Sequence, residues 1–390
     1  LEQARAYFTG FGLHTTLGRG VADNLAALRQ PIAPPQQAVL RFANRQESVP
    51  YYLLADEPVI DAEHRLYRVL AGVIEEAIAS AGLTREQRQG LTLFFGTSSG
   101  EISEHEALFR RDLQLSNDAQ PLITSRGIGN LALWIAQCFG LRGADYTINT
   151  ACSASANALI HADSMIRSGR IERALVVGVE ICNAITALGF QGLQLLTKDS
   201  MRPFDPRRNG LILGEGCAAV VLEHQPRGAK DFFLRGAANY CDTHSVSAAN
   251  PDGSTMSVVI SHALTNARLM PRDIVALKTH GTASLLNDEG EVAGMKRVFS
   301  ELPPLCALKP RIGHTLGACG LNELILLCAA AQQGWLPGTP GVCATVGDLG
   351  VTLNQEPRSI DAGNFMLNYF GFGGNNTSLV VSNAIASSEP

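Results

Sequence analysis

Three residues of this chain are of types that make and break bonds, and each stands where an apolar run gives way to a turn of small residues. Cys152 lies in Asn149-Thr150-Ala151-Cys152-Ser153-Ala154-Ser155, after the β-type run Tyr146-Thr147-Ile148 and before a helical stretch. A thiol so placed faces the unpaired N–H groups of a helix start, which stabilise a thiolate, lower the thiol pKa and offer a donor to a developing oxyanion. His280 lies in Lys278-Thr279-His280-Gly281-Thr282-Ala283-Ser284, at the C-terminal edge of the run Ile274–Leu277. Edges of this kind carry active sites in α/β sheets. His314 closes Lys309-Pro310-Arg311-Ile312-Gly313-His314 and leads into an apolar helix, which predicts a second strand–helix junction. Free cysteines are commonly core residues and lone histidines commonly structural ones. Two histidines, each beside a glycine, reduce the weight of that plainer reading.

The elements that must hold these residues are legible as an alternation of strand-length apolar runs and amphipathic helical stretches, which predicts an α/β fold. Leu91–Phe95, Ala174–Val179, Ala218–Leu222, Ile274–Thr279 and Ser378–Val381 read as strands. Leu66–Ala81 and Ser153–Ser168 have helical spacing and are closed by Gly82 and Gly169. A duplication is visible: Ala151-Cys152 and Ala318-Cys319 both place Ala-Cys at a helix start. The polar stretch His224–Lys230 is the predicted seam, dividing the chain into residues 1–228, with the nucleophilic Cys, and 229–390, with both histidines.

Composition excludes several classes. With 390 residues, 46% hydrophobic and 17% charged, the chain can bury a large core. A net charge of −5 and no long basic run argue against nucleic-acid binding. Nine cysteines, an odd number set mostly in apolar stretches, read as reduced thiols, and no Cys-x-x-Cys pair suggests a metal. No apolar run reaches the roughly 20 residues of a membrane helix, and nothing near Leu1 has a signal-peptide pattern. The cytoplasm is the expected compartment.

Thr150-Ala151-Cys152, His280-Gly281-Thr282, Lys309 with Gly313-His314, and Asn368-Tyr369-Phe370-Gly371-Phe372-Gly373-Gly374-Asn375-Asn376 resemble, in order, the signatures of the β-ketoacyl synthase family. Tyr7–Gly12 resembles its opening strand, and Arg202-Pro203-Phe204-Asp205 with Gly214-Glu215-Gly216 its central motif. The resemblance spans nearly the whole chain, and several motifs in the right order are far more specific than any one. It implies a thiolase-like fold of two similar halves in an α-β-α-β-α sandwich. It further implies an acyltransferase: a 3-oxoacyl-(acyl carrier protein) synthase that condenses malonyl carrier protein, with loss of CO2, with an acyl chain held on Cys152.

On that resemblance His280 and His314 hold the malonyl thioester carbonyl and the enolate, while the N–H groups of Cys152 and Phe372 form the oxyanion hole. Phe372 doubles as a gate, Lys309 and Glu323 form a buried orienting network, Thr282 and Ser284 support the site, and Phe190 lines the acyl pocket. Phe190 and Phe372 also read as packing aromatics. Asp288 and Glu291 match structural acidic positions. No tightly bound cofactor is implied, since substrates ride on the phosphopantetheine of acyl carrier protein. The implied partners are that carrier, with Arg65, Arg68, Arg207 and Arg208 as candidate contacts, and a second copy or a second ketosynthase-like subunit.

The chain departs from the family pattern at Leu285, Ala283, Tyr369 and Asn209, and Gln194 stands where a basic docking residue is common. The nearest rival reading is a chain-length-factor-type subunit of a type II polyketide system, one making polyenes for instance. Such subunits usually lack the Cys. Degradative thiolases need a second catalytic Cys that Asn368–Asn376 does not contain, and initiating synthases use Asn where this chain has His314. A scaffold protein would leave the spacing of three reactive residues to coincidence.

Overall fold

The computed structural model describes residues 4–42, 45–57, 64–115, 127–228, 231–342 and 347–384. The first half supplies strands β1 (Tyr7–Thr15), β2 (Thr92–Gly96), β3 (Asp145–Ile148), β4 (Arg173–Glu180) and β5 (Gly216–Glu223). The second supplies β6 (Phe233–Cys241), β7 (Ile274–Lys278), β8 (Leu305–Cys306), β9 (Asn364–Phe370) and β10 (Asn375–Ser382). Hydrogen bonding runs β8-β7-β9-β10-β6-β1-β5-β4-β2-β3, and the halves meet at Tyr7 opposite Phe233. Within each half the spatial order is the same: third, second, fourth, fifth, first. In both, the second strand is parallel to the third and fourth, and the fifth is antiparallel to its neighbours. Of the predicted seam His224–Lys230, residues 229 and 230 lie outside the described ones.

Helices α1 (Arg65–Ser80), α2 (Ala154–Arg167), α3 (Ala184–Gly192), α4 (Ser254–Ala267), α5 (Leu285–Val298) and α6 (Cys319–Gln332) complete the layers. Side chains alternate across each strand, so both faces are buried. Ala174 and Val176 of β4 join Phe365 and Leu367 of β9 and α6 in one central core. Leu175 and Val177 face the opposite way, toward α1, while Met366 and Val380 pack toward α4. Because α2 and α6 touch strands of both halves, they form the middle layer of a thiolase-like sandwich. Their starts meet closely: a Cβ on Gly320 would lie 2.3 Å from the backbone N of Ala156. Helices α1 and α2 end near Gly82 and Gly169 at φ 60° and 69°, the left-handed region where glycine carries no penalty. No helix among the described residues is long and apolar enough to cross a membrane.

Two expectations are corrected. His314 does not follow a strand directly: Lys309–Ile312, just before it, is a single helical turn. Pro310 suits the first turn of a helix, and Gly313 at φ 74° ends it. Arg65 is not a surface contact but a 1% exposed residue, forked onto Glu215 through Nη1–Oε1 and Nη2–Oε2, both 2.6 Å. Glu215 also accepts from the N–H groups of Leu54 and Cys182, each at 2.8 Å. The pair ties α1 to the segment that positions His314, since Gly214 N donates to His314 O at 3.0 Å and His314 N to Ile212 O at 2.8 Å.

Replacing Glu215 by Ala should strand a buried guanidinium and cost about 3–5 kcal/mol, whereas Arg65→Met with Glu215→Leu should recover only the part due to the unpaired charge, because the Leu54 and Cys182 N–H groups lose their acceptor in both variants. Urea denaturation of both variants checks the contrast.

Candidate active site

The turn after β3 sets the thiol. Ala151 is held at φ 49°, a conformation costing an L-residue roughly 1–2 kcal/mol, and Ser153 N and Ala154 N donate back to Thr150 O and Ala151 O. Helix α2 begins immediately afterwards, so Cys152 projects from an elbow into the cavity while remaining 5% exposed. His314 Nε2 lies 3.2 Å from its sulfur, and the backbone N–H groups of Phe372 and of Cys152 itself also point at it. Burial nevertheless pushes the thiol up to about 11, against the Lys309 charge and those two N–H donors, which pull it down. This corrects the expectation of a lowered thiol pKa. At pH 7 the resting group is the thiol, ringed by donors that favour a thiolate once its proton leaves.

His280 follows β7, with its backbone N and that of Gly281 donating to the two oxygens of Glu291 at 2.7 and 2.9 Å. Lys309 Nζ donates to His280 O at 2.7 Å and to Glu323 Oε1 at 2.8 Å, and lies 3.2 Å from His280 Nδ1. An ammonium can only donate, so Nδ1 accepts and the ring proton sits on Nε2. Among the described residues nothing pairs with the buried His314 Nδ1, and leaving an acceptor unpaired costs less than leaving a donor unpaired. That favours the same tautomer, with Nε2–H toward Cys152. The two rings pack edge to face at 5.4 Å. Burial first, and then the Lys309 charge, hold both imidazoles well below 6.5, so both are neutral at pH 7.

Cys152, His280 and His314 line one cavity of about 540 Å3, with Phe190, Phe372, Thr282 and Ser284 on its walls. Phe372 stacks on Phe190, centroids 5.3 Å apart, and is followed by Gly373 and Gly374 at φ 70° and 72°. Thr282 Oγ1 and Ser284 Oγ are 2.9 Å apart. Of the arginines, Arg208 borders the cavity but is buried against Asp348, Arg207 is bound to Asp205, and Arg68 lies 3.3 Å from Glu57. Asp288, also buried, accepts from Phe204 N at 2.8 Å.

Three further residues hold the site, none of them given a role from the sequence. Glu180 accepts from Ser98 N and from the hydroxyls of Thr97, Ser98 and Ser99, fixing the loop beside Cys152. Cys319 Sγ donates to Cys152 O at 2.9 Å. Lys278 is completely buried against Glu323. Cys319 carried a signal in the Ala318-Cys319 repeat of the nucleophile's Ala-Cys, and Lys278 one as a lysine in an apolar strand two residues before a histidine; Glu180 carried none.

Residues 56–227 match the profile of the β-ketoacyl synthase N-terminal domain, and residues 232–342 that of its C-terminal domain. The chain is 29% identical to 3-oxoacyl-[acyl-carrier-protein] synthase 2 of Vibrio cholerae, over 80% of this chain and 81% of that one. It is 31% identical to a polyketide biosynthesis malonyl-ACP decarboxylase of Bacillus subtilis, over 63% and 62%. One chain of a complex of a ketosynthase with its chain length factor, from Xenorhabdus doucetiae, superposes with a TM-score of 0.83 at 24% identity over 98% of both chains. The chain belongs to the β-ketoacyl synthase family, condensing enzymes of the acyltransferase class.

Since the Lys309 charge lowers the Cys152 pKa, Lys309→Met should move the pH of half-maximal alkylation of Cys152 by iodoacetamide upward. With the thiol at about 11, intact-mass time courses between pH 8 and 10 sample the lower limb and read the shift as slower alkylation at each pH; faster alkylation would contradict the assigned electrostatics.

Proposed function

We propose that this chain is a 3-oxoacyl-[acyl carrier protein] synthase, working in fatty acid or type II polyketide biosynthesis and acting on substrates carried by phosphopantetheine. The observation that carries this reading is the pair of neutral imidazoles, His280 and His314, packed edge to face beside a buried thiol. Cys152 first takes the acyl group. Its sulfur attacks the thioester carbonyl, the oxyanion is held by the N–H groups of Cys152 and Phe372, and the departing pantetheine sulfur leaves with the thiol proton. The malonyl thioester then binds with its carbonyl oxygen on the two Nε2–H groups. Loss of CO2 leaves an electron pair that becomes an enolate, and neutral donors stabilise it without the cost of burying a cation. The enolate carbon attacks the acyl-Cys152 carbonyl, and collapse expels the Cys152 thiolate, which regains a proton from water.

Phe372, stacked on Phe190 and flanked by glycine, serves in this reading as the gate between the acyl-bearing thiol and the second substrate, and Phe190 as part of the acyl pocket. Lys309 and Glu323 orient His280, and Thr282 and Ser284 bound the approach of the carrier arm. The partner is acyl carrier protein, together with a second copy or a second ketosynthase-like subunit. Supporting the latter, β3 ends the sheet, and Tyr146 on it and Leu133 on the adjoining helix Asn130–Phe139 are 41% and 51% exposed. The Xenorhabdus ketosynthase pairs with a chain length factor. A chain-length-factor-type role for this chain itself has less support, because Cys152 stands with both histidines around one cavity.

Cys152→Ala should abolish the acyl adduct seen by intact mass; an unchanged adduct would sink the assignment. His280→Ala should keep the adduct and slow malonyl decarboxylation by about 100- to 1000-fold, the usual effect of losing one such donor. Both imidazoles must be neutral to work and both have depressed pKa values, so the acid limb of the decarboxylation rate should lie below pH 6.5.

A further inference from the structure

Lys278 has no part in the chemistry above, yet it is completely buried. Its ammonium donates to Glu323 Oε2 and, at 2.8 Å, to Asn368 O, and it lies 3.7 Å from the centroid of the Tyr369 ring. Carboxylate, carbonyl and aromatic face together satisfy its three N–H bonds. Tyr369 in turn donates to Gly320 O at 2.9 Å, at the start of α6. Glu323 is therefore divided: one oxygen for Lys278, the other for Lys309. The groups facing Lys278 from neighbouring elements are Lys309, Glu323 and Cys319 around the start of α6, Cys306 on β8, Glu291 on α5, and His280 and His314.

Resting on the synthase reading of this site, we propose that Lys278 is a positioning residue for decarboxylation. By occupying one oxygen of Glu323 it prevents that carboxylate from taking Lys309 with both oxygens. Lys309 is thereby left against His280 Nδ1, and the Nε2–H of His280 is kept in place for the enolate. Asn368, the other end of the clamp, lies four residues before Phe372, so the same ammonium ties the strand leading to the gate. A second contribution is electrostatic: the positive charge of Lys278 lowers the pKa of both His280 and His314. The acyl transfer to Cys152 does not use His280, which separates the two half-reactions experimentally.

The test uses the full chain, with its co-purified partner subunit if it has one, and malonyl-loaded and acyl-loaded carrier proteins. Lys278→Met should lower the decarboxylation rate at least tenfold while the rate of acyl adduct formation stays within about twofold, and should move the acid limb upward, since a charge that depressed the histidines is gone. Lys278→Gln, which keeps a donor for Glu323 without the charge, should recover most of the rate but retain the upward shift; it also serves if Met at this position prevents folding. Equal loss of both half-reactions in a folded variant, or an unchanged pH profile in both variants, would overturn the proposal. If the unaltered chain acylates but does not decarboxylate, the synthase reading itself fails, and this inference with it.

Discussion

Glu323 is completely buried, and its two oxygens are taken by one lysine each. A carboxylate in that position cannot stay ionised alone, and neither ammonium could stay charged without it. The arrangement of the site follows from this constraint. Lys309, fixed by Glu323, spends its remaining donors on the carbonyl and the Nδ1 of His280. That fixes a tautomer, and the tautomer turns a general-purpose side chain into a donor aimed at the cavity. Burial first, and the lysine charge after it, keep the imidazoles neutral, so the site offers hydrogen bonds to developing negative charge without itself carrying a cation on either ring.

The backbone around this array is held in conformations that L-residues adopt reluctantly. Ala151, before the thiol, has φ 49°; Ala283, after the His280 motif, φ 62°; Leu316, after His314, φ 44°; and Phe204 φ 61°. Each costs roughly 1–2 kcal/mol, and the cost is offset by the buried layers on either side. The two central helices provide the counterweight, since α2 and α6 meet through Gly320 against Ala156 and through Leu321 N donating to Ser155 Oγ at 3.2 Å.

The sequence was most legible where function depends on contiguous motifs. Cys152, His280 and His314 could be named because each lies in a short run of small residues beside an apolar stretch, whereas Lys309 and Glu323 could be named only through the family resemblance. Strands and helices followed from period and closing glycines to within one or two residues at most ends. What was not legible depends on distant parts of the chain meeting. Arg65 looked like a surface arginine because nothing near it reveals Glu215, 150 positions away. The raised thiol pKa could not be read from a helix start alone, because the burial of Cys152 opposes the donors around it. Lys278 and Tyr369 are separated by most of the second half, and only the pairing of β7 with β9 brings them together.

The central claim is that both histidines stand neutral with their protons on Nε2. Nitrogen-15 NMR of histidine-labelled protein between pH 5.5 and 8, assigned with His280→Gln and His314→Gln variants, tests it directly. The account predicts an acceptor-type Nδ1 and a protonated Nε2 for both residues, with neither titrating down to pH 6. A proton on Nδ1 of His280, or titration of either ring near pH 6.5, would contradict it.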